Sequence, residues 1–244
     1  MLEVSSLKNT SFKRQDLDSP KVFKQANFDR SILEYKIQQI NEEGKRTYLT
    51  PSGNKYPSIT TVMSHMKADV IREWRQRVGN EEANRISTKA TRRGTALHTV
   101  CEKYIDNQED FGIVSPDALD LFKMIRRPVL DASIDNVYCQ ETRLYSDYIG
   151  VAGTVDCVAD FNGKRSIIDF KTARKIKPRK WIKDYFMQTS GYAVMFEEIT
   201  KIPVTQVVII MASEEGYEVF IEKRDDWVEP LIDAVKIYNA VNGV

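Results

Sequence analysis

Cysteine and histidine are scarce in this chain, and long apolar runs are absent. Three of its 244 residues are cysteine, Cys101, Cys139 and Cys157, with no CxxC pair and an odd count. That argues against a disulfide framework and against a four-cysteine cluster built within the chain, and it fits a reducing compartment. The longest apolar stretches, such as Val207 to Ala212, fall far short of the ~20 residues needed to span a bilayer, so no membrane partner is expected. The first thirty residues mix basic and acidic side chains without an apolar run, and neither a secretory signal nor an acid-poor transit peptide is expected there. No repeat or low-complexity tract is evident. With 42% hydrophobic residues, the chain can form one substantial core.

Excess charge is missing as well, since the formal net charge is +1; the distribution is more informative than the sum. From Lys164 to Lys183 there are nine basic residues and a single acid, Asp169. A second basic stretch, Arg85, Lys89, Arg92 and Arg93, contains no acid, whereas Glu214 to Asp233 is strongly acidic. Charge runs are commonly just solvated faces. Two basic ones flanking an acidic centre predict a track for phosphate, with Arg92, Arg93, Arg174 and Lys175 as candidate contacts.

The acidic centre is read from a turn. Thr154 to Phe161 and Lys164 to Lys171 are strand-like runs separated by Asn162-Gly163, a pair suited to a two-residue hairpin turn that needs positive φ at both positions. Phe161 then pairs with Lys164, Asp156 falls opposite Asp169, and Thr154 falls opposite Lys171. Opposed carboxylates about 5 Å apart at Cβ call for a cation between them or a proton on one of them. The competing reading is a solvated hairpin face.

Along the rest of the chain, residues 1 to about 30 read as an irregular arm. Ser31 with Glu34 predicts a capped helix to about Glu43, stopped by Gly44. A short hairpin is expected over Arg46 to Tyr56, around Pro51-Ser52-Gly53-Asn54. Helices are expected from Ser58 to Arg77 with a break near Lys67, from Asn80 to Ala90, from near Arg93, and from Ser115-Pro116 to before Pro128. Strands follow at about 136–146, 150–161 and 164–172, then a helix from Arg179 to Glu198, strands 205–212 and 217–222, and a helix from Asp225. This order predicts an α/β or α+β layer fold with a mixed sheet.

Several residues could do chemistry beside the aspartates. Lys171 shares the strand face of Asp169 and could orient or help deprotonate water, or stabilise charge on phosphate; otherwise it is a surface lysine paired with an acid. His98 could be a third ligand, with Gly94 one turn earlier permitting close approach, although a lone helical histidine is often structural. Glu141 could hold a water, a second metal or Lys171, or simply pair with Arg143. Gln188 and Tyr192 share a helix face and could touch phosphate or a base edge. Trp74, Trp181 and Tyr56 could stack on unpaired bases, and Glu102 reads as an ordinary helix neighbour.

In order, Gly94-x3-His98, Glu141, Gly153-Thr154-x-Asp156, Asp169-x-Lys171 and Gln188-x3-Tyr192 resemble the motifs of the RecB-type branch of the PD-(D/E)xK nucleases. Upstream, Tyr48-Leu49-Thr50-Pro51-Ser52-Gly53 and Tyr56-Pro57-Ser58-Ile59-Thr60 are similar to a segment of the mitochondrial genome maintenance exonuclease family and related phage exonucleases. The resemblance implies a restriction-endonuclease-like core, a mixed central sheet flanked by helices, preceded by a helical N-terminal half. It implies Mg²⁺ or Mn²⁺ held by His98, Asp156, Asp169 and the Phe170 carbonyl, with Lys171, Asp156, Asp169 and Glu141 catalytic. Gln188, Tyr192, Ser58 and Thr60 would contact DNA. Some relatives carry a four-cysteine iron-sulfur cluster; this chain lacks those cysteines, so none is expected.

The resulting expectation is a metal-dependent DNA exonuclease, monomeric and acting on a single strand with a free end. Residues 1–90 would guide DNA into a nuclease core at 91–244, the two forming one integrated domain. A cytoplasmic setting in a bacterial or virus-infected host cell is expected. The alternatives are an endonuclease of the same superfamily on duplex or branched DNA, and a non-catalytic nucleic-acid-binding module.

Overall fold

The computed structural model describes residues 11–42 and 45–243. In chain order its elements are β1 (Phe12–Lys13), β2 (Gln38–Glu42), β3 (Lys45–Leu49), β4 (Lys55–Pro57), α1 (Ile59–Met66), α2 (Ala68–Val78), α3 (Asn80–Ile105), β5 (Asp110–Gly112), α4 (Pro116–Ile125), β6 (Ile134–Ser146), β7 (Val151–Phe161), β8 (Lys164–Ala173), α5 (Lys183–Thr200), β9 (Gln206–Ser213), β10 (Gly216–Lys223) and α6 (Asp225–Asn242). The main sheet runs β10-β9-β8-β7-β6, with only the β8/β9 pair parallel. A parallel neighbour needs a crossover, and α5 is it. The arrangement is a mixed α+β fold.

Alternation along the strands explains the layers. Ile168, Phe170, Val208 and Ile210 pack against Leu97, Val100 and Tyr104 of α3 and Leu121 and Phe122 of α4. Ile167 and Val207, one residue earlier on each strand, face the opposite way, into Ile59 and Val62 of α1, Tyr192 and Phe196 of α5, and Leu231 and Val235 of α6. Being covered on both faces accounts for the near-continuous apolar runs of β8 and β9.

Two expectations are corrected. The helix from Ser31 is a single 3-10 turn, Arg30–Leu33, and Gln38–Glu42 is strand β2 paired with β3. Asp29, not Ser31, caps the turn, its Oδ1 accepting from the Ser31 N–H, and cross-strand pairing overrides the local cap signal; Glu43 and Gly44 lie outside the described residues. The two helices expected around Ala90 and Arg93 are one helix, α3, because Thr91-Arg92-Arg93 offers no breaker and Gly94 is tolerated inside it. After Ile125 a wide π turn, Arg126–Asp131, carries the chain through Pro128. The break near Lys67 is present, as the α1/α2 junction.

Candidate active site

The hairpin has the expected register as far as it goes. Phe161 pairs with Lys164, and the ladder continues to Cys157↔Ile168. It stops there, one residue short of Asp156 and Asp169, so the expected pairing of Thr154 with Lys171 is not made. The reason is a local irregularity. Val155 packs on the α1/α5/α6 side and Cys157 on the α3/α4 side, although residues two apart on a regular strand share a face. On β6, Gln140↔Cys157 and Thr142↔Val155 place Glu141 across from Asp156, and Glu141 has φ of +44°, a left-handed conformation unusual for a side-chain-bearing residue. Glu141, Asp156 and Asp169 therefore stand in one row across three neighbouring strands, where the sheet opens.

Side chains enter this opening from both layers. His98, from α3, has Nε2 2.5 Å from the Phe170 carbonyl and Nδ1 3.3 Å from Asp156 Oδ2. The Phe170 N–H donates to that same Asp156 Oδ2 at 3.0 Å. From α5, Gln188 Nε2 donates to Asp169 Oδ1 at 3.3 Å. Lys171 Nζ is 2.5 Å from Asp169 Oδ2, and the Asp169 side chain is only 2% exposed.

The electrostatics describe crowded negative charge. Partial desolvation, reinforced by Asp156 and Glu102, raises Glu141 to about 7 although its side chain stays exposed at the surface. Burial also raises Asp169, with Lys171 opposing and Asp156 adding. For Lys171 burial works downward, but Asp169 and Asp156 outweigh it and the net direction is upward. The Asp169 and Asp156 carboxylates thus favour the charged form of Lys171.

The residues fit a divalent cation. His98, Glu141 and Asp156 each offer a ligand atom, and these atoms lie within 4.8 Å of one another. A nitrogen and two carboxylate oxygens make a mixed donor set of the kind that holds divalent metal ions. This trio includes Glu141 in place of Asp169. In this arrangement Asp169 is tied to Lys171 and Gln188, and the Phe170 carbonyl to His98.

The structure brings His98, Glu141, Asp156, Asp169, Phe170, Lys171 and Gln188 together; the expected DNA contacts fare differently. Tyr192 is 1% exposed and Ser58 1%, so neither reaches an incoming strand. Tyr192 packs under Gly153, one turn along α5 from Gln188, so it sits beneath the residue that donates to Asp169. Ser58 and Thr60 bond each other at 2.7 Å, and Ser58 bridges to Ala152 of β7. Arg93 is buried against Glu214 at 2.9 Å, and Lys175 pairs with Glu215 at 2.8 Å. The acidic stretch thus neutralises part of both basic ones, while Arg92 and Arg174 remain exposed. Glu141 does not pair with Arg143, which donates to the Ile37 carbonyl. Trp181 is exposed and Tyr56 donates to Asp147.

Sequence reasoning missed two contributors. Glu102 helps raise Glu141; its four-residue spacing from His98 was the available signal. Tyr185, three residues before Gln188 on the same face of α5, has the Lys171 ammonium 5.0 Å from its ring centre.

No known family profile matches the chain. It is 25% identical over 138 residues to the human (Homo sapiens) protein named mitochondrial genome maintenance exonuclease 1, covering 51% of this chain and 39% of that protein. The mouse (Mus musculus) protein of the same name is 23% identical over 134 residues, with the same coverage. The chain therefore spans about two fifths of the length of the curated relatives it matches, 39% in each case. Among solved structures, that of SSO0001 overlaps 61% of this chain and 71% of its own at 15% identity and a TM-score of 0.27, too loose a superposition to carry an argument. No helix among the described residues is long and apolar enough to cross a membrane. The similarity is weak, and it is to proteins named as nucleases.

Proposed function

We propose that this chain is a metal-dependent DNA exonuclease with a PD-(D/E)xK-type core, preferring single strands. The observation that carries the proposal is the row Glu141, Asp156 and Asp169 across β6, β7 and β8, met by His98 on one side and the Lys171 ammonium on the other. The matched relatives, named as exonucleases, support the reaction class. The recess supports the single-strand preference, because an unpaired strand can enter where Asp169 and Lys171 sit below the surface.

In this reading His98, Asp156, Glu141 or Asp169, and the Phe170 carbonyl would hold Mg²⁺ or Mn²⁺. When bound, the ion supplies Lewis acidity and charge neutralisation at the scissile phosphate. Lys171 stabilises charge developing on the phosphate oxygens. Gln188 keeps Asp169 aimed. Arg92 and Arg174 steer the strand, and the segment up to residue 90 guides it.

Digestion of end-labelled single-stranded, duplex and closed-circular DNA with Mg²⁺, Mn²⁺ or EDTA tests the proposal. Metal-dependent shortening of linear single strands with the circle intact is the expected result. Cutting of the circle makes the protein an endonuclease of the same fold, and no cleavage of any DNA leaves a binding module.

A further inference from the structure

Three ammonium groups converge on one ring beside the acidic row. Lys171 Nζ is 5.0 Å from the centre of Tyr185, Lys67 Nζ 5.2 Å and Lys177 Nζ 5.4 Å. They come from separate places: strand β8, the α1/α2 junction and the loop that follows β8. Two of the three are matched by acids, Lys171 by Asp169 and Lys67 by Asp184 at 2.6 Å. Lys177 is not: its ammonium donates to Tyr185 Oη at 3.0 Å and, among the described residues, makes no ion pair. The Tyr185 hydroxyl, accepting from Lys177, keeps its own O–H free to donate elsewhere.

The face of one aromatic ring attracts a cation but does not cancel the repulsion among three. An anion would. The cluster is open enough to take one, since the Lys67 side chain is 37% exposed and that of Lys171 19%. Lys171 belongs at once to this cluster and to the acidic row, so an anion seated here lies next to the phosphate being cleaved.

Resting on the nuclease reading above, we propose that Lys177, Lys67 and Tyr185 form a phosphate subsite that holds the strand one step from the scissile phosphate. Lys177 supplies the unmatched charge, Tyr185 Oη a directed donor, and Lys67 a second charge anchored to α5 through Asp184. The ligand is a phosphate oxyanion, either an internal diester or a terminal monoester. The subsite fixes how far the strand advances relative to the metal-holding residues, a positioning role expressed in KM more than in kcat.

The test uses the full chain and single-stranded oligonucleotides in which one linkage is made a neutral methylphosphonate, walked along the strand, with 5′ and 3′ ends either phosphorylated or free. Affinity is read by fluorescence anisotropy in EDTA, and kcat and KM are read separately with Mn²⁺. For the unaltered protein one position should cost roughly tenfold in affinity when neutralised, as expected for a single charge-assisted contact. Lys177→Met should lose the same tenfold on the all-phosphate strand and nothing further at that position, the non-additivity expected of groups in contact. Lys177→Arg should recover most of the loss. Tyr185→Phe, which removes only the hydroxyl, should repeat the pattern at smaller size and serves if Lys177→Met melts early. A sensitive position at a chain end identifies the monoester, and an internal one the diester. Additive losses at every position overturn the subsite even if cleavage is normal. Coupling that persists in EDTA in a protein that never cleaves overturns the nuclease reading and leaves the subsite standing.

Discussion

Two helices near the site behave as opposites. α5 has eleven buried residues, Gln188 and Tyr192 among them; α2 has none, and its Val70 is 67% exposed. α5 lies between the sheet and α6, so its sequence is constrained on almost every side; α2 is held mainly at its ends. The difference separates two kinds of residue. On and under α5, a side chain that shapes the site also holds the fold, and a change there alters both. On α2 and the first turns of α3, side chains are free to meet a ligand and contribute little to stability.

The largest effect that would sharpen this contrast is at Lys171. Lys171→Ala should lower kcat by about 10³-fold or more, the scale seen when a transition-state charge stabiliser is removed, while single-strand affinity in EDTA falls far less. Single-turnover cleavage alongside anisotropy checks it. Loss of binding equal to loss of rate would show that Lys171 acts on the ground state, as a surface lysine would.

Next comes the response to metal. Glu141 and Asp169 are both raised by burial and by neighbouring acids, so an ion that relieves the crowding binds the folded state and stabilises it. With Mn²⁺ at 100 times its dissociation constant the gain is about 2.7 kcal/mol, or roughly 5 to 10 °C in Tm for a chain of this size. Differential scanning fluorimetry should show this shift in the unaltered protein and its loss in Asp156→Asn. Comparing Glu141→Gln with Asp169→Asn in the same assay decides which carboxylate completes the set.

How much of this was legible in the sequence depends on where the information is local. The Asn162-Gly163 turn set the β7/β8 register through local backbone chemistry, and the elements from β6 onward fall close to their expected limits. The opening of the sheet at Asp156 was not legible, because alternation assumes a regular strand and the irregularity arises between strands. Glu141 was therefore placed on a strand face with Arg143 as a rival partner, when its positive φ turns it into the row of acids. The capping pattern at Ser31 failed because a strand partner further along the chain outweighed it. The basic runs were legible as sequence but not as surface: Arg93 and Lys175 are paired with Glu214 and Glu215, partners brought in from elements far along the chain by the fold. Tyr192 showed up as half of a pair on one helix face, and only burial reveals that the pair looks inward.

Gly153 probes the α5 side at a smaller scale. A Cβ there would lie 2.8 Å from Tyr192 Oη and 2.9 Å from its ring, inside normal contact, against a buried ring with little room to move. Gly153→Ala should cost roughly 1–3 kcal/mol through overpacking. It should also slow cleavage, on the order of tenfold, because a shifted Tyr192 disturbs Gln188, one turn earlier on α5, which donates to Asp169. Urea unfolding and kcat measured on the same preparation report the two effects. Lost stability with unchanged kcat would break the chain of contact from β7 through α5 to the acid row.

The smallest effect is expected on α2, and it is the one that most directly challenges the contrast. Val70 packs into no core cluster, and its neighbour Ile71 is 43% exposed; Val70→Ser removes apolar surface that the fold leaves in water. Substitutions away from packed or hydrogen-bonded features fall within about 0.5 kcal/mol, so Tm should hardly move. The informative measurement is anisotropy with a single strand in EDTA: weaker binding at unchanged Tm would assign the exposed apolar side of α2 to the ligand, as separation of stability from recognition requires. A loss of stability near that of Gly153→Ala would mean instead that α2 packs against the body in solution, and the division between a load of buried scaffold residues and a free guiding helix would not hold.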